Sequence, residues 1–361
     1  MNCAGSPLSS CLTPEEALAS GRWVKLICGA SNQDLAGIED LCGIFSLAGV
    51  HCIDGAVDAA VVAAIRRGID WAEARGASRP WLMLSLSDGD DPHFRKAWFD
   101  PACCPPACPR PCERVCPALA IGLAATGAPG VLAERCYGCG RCLPACPHGL
   151  IEERSQVLAG ADVPPLLAQL RPDAVELHTH PGRGVAFAER VGQLRASGVQ
   201  LQRLAVSAGL EGTAQSPSAL VAELWQRFSL LRGAGFRPLW QLDGRPMSGD
   251  VGAGTARAAV KLVAAVLPQA PPGPVQLAGG TNAHTLAQLT RYPLQHRIAG
   301  VAFGGVARRL LQPLLLEAQG RGRSLLADAE LFPLALGLAR ELVNPWLERT
   351  KCLAIRCPAL L

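Results

Sequence analysis

The sequence predicts an α/β protein built on a (β/α)8 frame of the TIM-barrel type, and three observations carry that prediction. Short β-rich runs alternate eight times with amphipathic helical runs. The alternation is broken once, by a stretch rich in Cys and Pro at residues 100–152. Residues 23–320 without residues 100–150 number 247, close to the typical barrel of about 250. The competing arrangement is a pair of smaller α/β domains flanking the cysteine-rich stretch.

The strand candidates, in order, are Trp23–Cys28, Cys52–Asp54, Trp81–Leu86, Ala174–His178, Leu201–Val206, Leu239–Asp243, Val275–Ala278 and Val301–Phe303. Each is short and rich in β-branched, aliphatic or aromatic residues. Helical spacing of apolar residues follows most of them, at Asp34–Ala48, Ala59–Ala74, Val185–Ser197, Ser218–Gly233, Gly254–Leu267 and His284–Tyr292. Gly, Pro or Asn mark most of the joints. The chain then divides into an N-terminal tail (1–21), the first β/α units (22–99), the insertion (100–152), the remaining units (153–320) and a C-terminal helical tail (321–361). An insertion after the third strand falls on the C-terminal face of a barrel, where barrel active sites lie.

Bulk properties narrow the class. The 361 residues are 49% hydrophobic and 18% charged, a globular composition, and the formal net charge is only +4. Lys and Arg are spread along the chain, which gives no case for nucleic acid. Met1–Trp23 lacks a basic start followed by an apolar run, and no apolar stretch approaches the roughly 18 residues of a membrane span, so a cytoplasmic protein is expected. Sixteen cysteines in such a chain point to metal ligands rather than disulfides.

The cysteine spacing is specific. Cys136, Cys139, Cys142 and Cys146 stand as C-x2-C-x2-C-x3-C followed by Pro147, the bacterial ferredoxin run. Two-residue gaps let one loop wrap three corners of an iron–sulfur cubane. Gly138 and Gly140 permit the sharp path and leave amide N–H groups free to face the sulfurs. Zinc is the competing ion, but its motifs pair two C-x2-C hooks. Upstream, Cys104, Cys108, Cys112 and Cys116, with Pro117, are spaced by three residues throughout. Cys116-Pro-Ala-Leu-Ala-Ile121 echoes Cys146-Pro-His-Gly-Leu-Ile151, an internal repeat. In two-cluster ferredoxins the last cysteine of each run ligates the other cluster. The expected ligand sets are therefore Cys104, Cys108, Cys112 and Cys146 for one cluster, and Cys136, Cys139, Cys142 and Cys116 for the other. Both are expected as [4Fe–4S]; the wider upstream gaps leave room for a less stable or [3Fe–4S] cluster there, and Cys103 competes with Cys104 as ligand. Cys28, Cys42 and Cys52 read as buried thiols, and Cys3, Cys11, Cys352 and Cys357 as tail cysteines.

Polar residues at the strand ends suggest a pocket. Lys25 interrupts an apolar strand and Asp54 ends another. Glu176, His178 and His180 share one parity, as do Gln241, Asp243 and Arg245. Each alone reads more readily as a satisfied core group, and it is their combination that suggests a pocket at the top of the barrel. The glycines of Ala278-Gly-Gly-Thr-Asn282 and Phe303-Gly-Gly-Val-Ala-Arg-Arg309 follow the last two strands, where barrels commonly bind phosphate. Gly279, Gly280, Gly304, Gly305, Lys25 and Arg245 are thus candidates for binding FMN or another phosphate-bearing ligand, although Gly pairs also serve tight turns. No nucleophile–base pair stands out, so catalytic residues are unassigned.

Set beside the paired cysteine runs, Gly21-Arg-Trp-Val-Lys-Leu-Ile-Cys-Gly-Ala-Ser-Asn-Gln-Asp34 resembles the cyanobacterial light-dependent period (LdpA) family. So do Leu47-Ala-Gly-Val-His-Cys-Ile-Asp54, Arg135-Cys-Tyr-Gly-Cys-Gly-Arg-Cys142, Gln241-Leu-Asp-Gly-Arg-Pro-Met-Ser-Gly-Asp250 and Gln276-Leu-Ala-Gly-Gly-Thr-Asn282. The resemblance covers roughly residues 20 to 320 and leaves the tails out. It implies a cytoplasmic iron–sulfur redox sensor that passes cellular redox and light state to the circadian clock. It also implies clock-associated partners such as KaiA and the histidine kinase CikA. The other class of function is an iron–sulfur oxidoreductase, flavin-dependent or not, with its active site in the barrel. A bound flavin would separate the two.

Overall fold

The computed structural model describes residues 12–123, 129–210, 213–245, 252–293 and 295–349. Cys3, Cys11, Cys352 and Cys357 lie outside them, as do residues 246–250 of the quoted stretch Gln241–Asp250. Eight parallel strands close into a barrel: β1 (Trp23–Gly29), β2 (Cys52–Ala56), β3 (Trp81–Ser87), β4 (Ala174–His178), β5 (Arg203–Gly209), β6 (Pro238–Asp243), β7 (Val275–Ala278) and β8 (Gly300–Phe303). Each pairs with its sequence neighbours, and β1 closes on β8 through Trp23↔Gly300 to Leu26↔Phe303. The pairing Met83↔Ala174 to Ser87↔His178 joins β3 to β4 across the cysteine-rich insertion. One barrel therefore takes strands from both sides of the insertion, and the arrangement of two flanking domains does not occur.

The helices alternate with the strands because their apolar faces cover the outside of the barrel. Those faces and the outward strand residues form one continuous core. Helix α2 (Leu35–Leu47) starts on Asp34, whose carboxylate accepts from Gly37 N, and α3 (Ala59–Glu73) starts on Asp58, which accepts from Ala60 N and Val61 N. The unit of β3 is completed by α4 (Val163–Leu170), only after the insertion. The remaining units use α5 (Gly184–Ala196), α6 (Pro217–Gly233), α7 (Ala256–Val266), the short α8 (Thr285–Leu289) and α9 (Gly305–Gly320).

Two segments read as tails pack onto the frame. Counted in chain order, α1 (Pro14–Ser20) precedes the barrel; it opens with a Thr13/Glu16 capping box and buries Ala17 and Leu18. These join Trp23, Cys52, Met83, Ala174, Ala205, Leu239 and Ala299 in an apolar layer that closes the barrel floor. Seven residues with two buried positions are too short for periodicity to register. At the other end α10 (Leu331–Leu347) buries Leu331, Ala335, Ala339, Leu342, Val343 and Trp346, and lies against α2 and α9.

The insertion leaves and re-enters the barrel through an antiparallel pair, Arg95–Trp98 with Glu152–Ser155. This pair is latched by the 2.8 Å contact between Arg95 Nη1 and Glu153 Oε2. A second pair, Ile121–Leu123 with Pro129–Val131, lies inside the insertion. Lys96 Nζ donates to Gln33 Oε1 at 2.7 Å, Gln33 N to Glu134 O at 2.8 Å and Arg135 Nη2 to Gln319 Oε1 at 3.2 Å. These bonds dock the insertion on the C-terminal face, above β1 and α9.

Candidate functional site

The eight cysteines of the two runs line two separate cavities. One is bounded by Cys104, Cys108, Cys112 and Cys146, with Phe99 and Ile121. The other is bounded by Cys116, Cys136, Cys139 and Cys142, with Ala97 and Tyr137. Each cavity thus draws three cysteines from one run and one from the other, the membership expected from the repeat. The repeat extends to the backbone. Leu119 (φ 49°) and Gly149 (φ 62°) both adopt the left-handed conformation three residues after Cys116 and Cys146. One residue further on, Ala120 N donates to Cys116 Sγ at 3.2 Å and Leu150 N to Cys146 Sγ at 3.4 Å. Ala97 N donates to Cys136 Sγ at 3.3 Å. Such donors stabilise negative charge on sulfur.

Several features distinguish these cavities from single-ion sites. Four sulfurs around one zinc would lie roughly 3.8 Å apart, whereas among the described residues no three cysteine sulfurs lie within 4.8 Å of one another. Burial and the neighbouring Cys139, Cys136 and Cys116 push the Cys142 thiol up to about 12, so thiolates here require a cation to hold them. Cys103 is exposed, faces Asp100 at 3.7 Å and lines neither cavity. Cys28 and Cys42 are buried with sulfurs 3.7 Å apart, and Cys52 lies in the barrel floor. Gly138 (φ 75°) is required by close approach: a Cβ there would lie 2.1 Å from Arg95 O.

Below the insertion, the top of the barrel is a pocket. Asp54, Glu176, His178, Gln241, Asp243 and Arg245 line it together with Gly279, Gly280, Gly304 and Gly305. His180 lies in the adjoining cavity. Lys25 converges on the same network but does not reach the wall. It is fully buried beneath the pocket, its ammonium held by Glu176 and, at 3.4 Å, by Asp54. It therefore does not present itself to a ligand. Gln241 Nε2 donates to Glu176 Oε1 at 2.7 Å, Gln276 Nε2 to Gln241 Oε1 at 2.8 Å and Ser85 Oγ to Asp54 Oδ1 at 2.8 Å. Burial opposes charge on Glu176, but Lys25 and His178 outweigh it and hold the carboxyl down at about 2. Burial likewise opposes a charged His178, yet the Glu176 carboxylate raises it to about 9. Asp54 and Asp243 are pushed up to about 6, chiefly by burial.

The phosphate-side residues fit an anion. Helix α9 begins at Gly305 with no side-chain cap on its first turn, so its N–H groups face the pocket rim. Arg308 lines the pocket and is buried, and among the described residues its Nε has no hydrogen-bond partner. Its guanidinium lies 4.0 Å from the centroid of the Tyr137 ring. Tyr137 belongs to the insertion and is shared by the barrel pocket and the Cys116/Cys136/Cys139/Cys142 cavity. Gly279 and Gly280 also have a turn role: both have positive φ, and a Cβ would meet Arg245 O at 2.5 Å or Thr255 O at 2.9 Å.

Four pocket residues were not legible in advance. Asp91 and His93 sit in the irregular segment between β3 and the insertion; their only signal was Asp-Pro-His beside a barrel strand end. Tyr137 and Arg308 lie inside quoted motifs, but nothing in spacing brings them together.

This geometry defines a TIM-barrel protein that carries an inserted iron–sulfur cluster-binding segment. Residues 104–157 match the family model of the LdpA Fe–S cluster-binding domain, and residues 166–345 match the light dependent period A C-terminal domain. The chain is 45% identical over 338 residues to "Light dependent period A" of Synechococcus elongatus, covering 92% of this chain and 93% of that one. The chain belongs to the light dependent period A family. Among solved structures, it is similar to Mycobacterium tuberculosis tryptophan synthase, at 13% identity and a TM-score of 0.43, covering 91% of this chain and 95% of that one. It is also similar to (S)-3-O-geranylgeranylglyceryl phosphate synthase from Thermoplasma acidophilum, at 11% identity and a TM-score of 0.40, covering 94% and 99%. No helix among the described residues is long and apolar enough to cross a membrane.

Proposed function

We propose that this chain is a cytoplasmic iron–sulfur redox sensor that adjusts the period of the circadian clock to light, acting through clock-associated protein partners such as KaiA and CikA. It would carry two [4Fe–4S] clusters, with Cys104, Cys108, Cys112 and Cys146 holding one and Cys116, Cys136, Cys139 and Cys142 the other. The observation that carries the reading is the crossed membership of the two cysteine-lined cavities. The two are also unequally shielded. In the first, Cys112 is buried and Cys104, Cys108 and Cys146 are half-buried; in the second, Cys136 and Cys142 are buried and Cys116 and Cys139 half-buried. The outer cluster is then the one exposed to oxidant, and it is the one whose wider ligand spacing favours conversion to [3Fe–4S].

The test uses anaerobically purified protein. Wild type should hold about eight irons and eight sulfides per chain. Cys146→Ala should match Cys108→Ala in its reduced spectrum, and Cys116→Ala should match Cys139→Ala. In a cyanobacterium carrying this chain in place of its own copy, Cys108→Ala should uncouple free-running period from light intensity. Stoichiometric zinc without iron, or a period that still follows light in that variant, overturns the reading.

The pocket favours a second reading, an iron–sulfur oxidoreductase. The shared Tyr137 wall and the unpartnered Arg308 Nε suit electron exchange with FMN or another phosphate-bearing ligand seated on the Gly279-Gly280 and Gly304-Gly305 loops. A flavin would supply the one- and two-electron chemistry, with Arg308, Arg245 and the start of α9 binding its phosphate. Flavin fluorescence released on denaturing the anaerobic protein would support this reading; its absence leaves the sensor.

A further inference from the structure

At the edge of the barrel pocket a second set of metal-binding side chains converges, none of them a cysteine. Asp91 and His93 stand on the short segment that leaves β3, and His178 ends β4. One donor atom from each lies within 4.8 Å of the other two. Asp91 and His178 are buried, and His93 keeps 26% of its side chain exposed, which leaves an ion a route from solvent. We propose that Asp91, His93 and His178 form a mononuclear site for a divalent transition-metal ion, separate from the cysteine-lined cavities.

The local structure pre-arranges these ligands. Asp91 caps the turn Pro92–Phe94, its carboxylate accepting from His93 N at 2.8 Å, and Pro92 fixes the backbone between the two ligands. The supporting contacts are those of metal-bound imidazoles and carboxylates. Glu176 Oε1 lies 3.1 Å from His178 Nε2, and Lys25 anchors Glu176 in turn. His180 Nε2 lies 2.8 Å from Asp91 Oδ2. The ring of Phe94 stands edge-on to His178 at 5.4 Å.

Size and chemistry agree. The adjoining cavity, of about 50 Å³, has room for an ion and a water. Two imidazoles and a carboxylate, without sulfur, suit Zn²⁺, Fe²⁺, Co²⁺ or Mn²⁺. His93 Nδ1 and Asp91 Oδ1 are 2.7 Å apart. A tetrahedral ion between them needs roughly 3.3 Å, a small rotation of the partly exposed His93. Three protein ligands leave at least one position open. His93, His178 and Asp243 line both this cavity and the main pocket, so the open position faces the space where an anionic ligand would lie.

The experiment uses the full chain with its clusters intact. Anaerobic protein is dialysed to equilibrium against buffered micromolar Zn²⁺, and zinc and iron are counted in the same samples. One zinc per chain is expected beyond the cluster iron. X-ray absorption should find its shell made of N and O donors, without sulfur at about 2.3 Å. His93→Ala should weaken zinc binding at least 100-fold and leave iron unchanged. His180→Ala, which removes only the partner of Asp91, should weaken it about 10-fold. His93 is partly exposed, so its variant is expected to fold, and unchanged iron together with circular dichroism reports that it has. Zinc with a sulfur shell, zinc retained at full affinity by His93→Ala, or no stoichiometric zinc in wild type overturns the proposal. The iron count keeps the two readings apart: zinc on sulfur in protein without iron counts against the clusters as well, whereas a nitrogen and oxygen shell lost in His93→Ala reports this site alone.

Discussion

The charged network in the barrel can be tested through Lys25. Replacing Lys25 by Met keeps most of its length but removes the ammonium that Glu176 and Asp54 share. All three groups are essentially inaccessible to water. Breaking a buried pair in this way typically costs about 3–5 kcal/mol, because the remaining charge is left uncompensated. Here the carboxylates keep other partners: Glu176 retains Gln241 at 2.7 Å and His178 at 3.1 Å, and Asp54 retains Ser85 at 2.8 Å. The lower end, about 3 kcal/mol, is therefore expected. Removing the orphaned charge as well, in Lys25→Met with Glu176→Gln, should recover at least ~1 kcal/mol, since contacting residues couple by about 0.5–3 kcal/mol. The assay is anaerobic urea unfolding followed by tryptophan fluorescence, with Trp23 and Trp240 fully buried as reporters and cluster absorbance as a control. If Lys25→Met changes stability by less than about 0.5 kcal/mol, or the double variant is additive, the ion set does not hold the barrel interior.

Two further perturbations separate strain from space and charge from burial. Gly138→Ala should lose about half of the iron, because its Cβ would lie 2.1 Å from Arg95 O, whereas Gly149→Ala, with nothing within 4 Å, should keep its iron and lose only about 1 kcal/mol of stability; equal iron in the two variants would contradict the role assigned to Gly138. His51 is held neutral by burial, its pKa lowered from 6.5 to about 4, and its Nδ1 accepts from Val24 N at 3.2 Å. Its contribution is present above pH 6.5 and is lost as the pH falls toward 4, up to roughly 3 kcal/mol at about 1.4 kcal/mol per unit. His51→Asn keeps an acceptor at the same place and should flatten the urea-unfolding midpoint across that window; an unchanged slope argues against a neutral His51.

The barrel was legible because its strands are short apolar runs that end where polar residues of one parity begin. Trp23–Gly29 and Ala174–His178 show this most clearly. What escaped notice lacks periodicity. The pair Arg95–Trp98 and Glu152–Ser155, which clamps the insertion, is largely polar and partly exposed, so neither face declares itself. Helix α4 carries Pro164 and Pro165 in its first turn, where proline is tolerated but reads as a break. The grouping of the cysteines around two cavities could be read from their spacing and the internal repeat alone. The pocket could be read only as a set of polar strand ends. Which of them faces a ligand is decided by depth, and depth is a property of the closed barrel.

That depth orders the barrel interior into three layers and explains why one Lys reads as a site residue but is not exposed. At the floor, Trp23, Cys52, Met83, Ala174, Ala205 and Leu239 are apolar and sealed by α1. One step up each strand, Lys25, Asp54, Ser85, Glu176, Gln241 and Gln276 bond to one another. Their polarity is satisfied internally and asks for no ligand. A further step brings His178 and Asp243 to the pocket wall, beside Asp91 and His93 from the segment above. At this level a new polar partner can enter. A strand-end pattern of alternating polar residues therefore marks two different things in this fold: the middle layer bonds internally and holds the barrel together, with Asp54, Ser85, Glu176 and Gln241 forming the base of the pocket and Lys25 and Gln276 sealed beneath it, while His178 and Asp243 of the top layer stand on the wall beside Asp91 and His93.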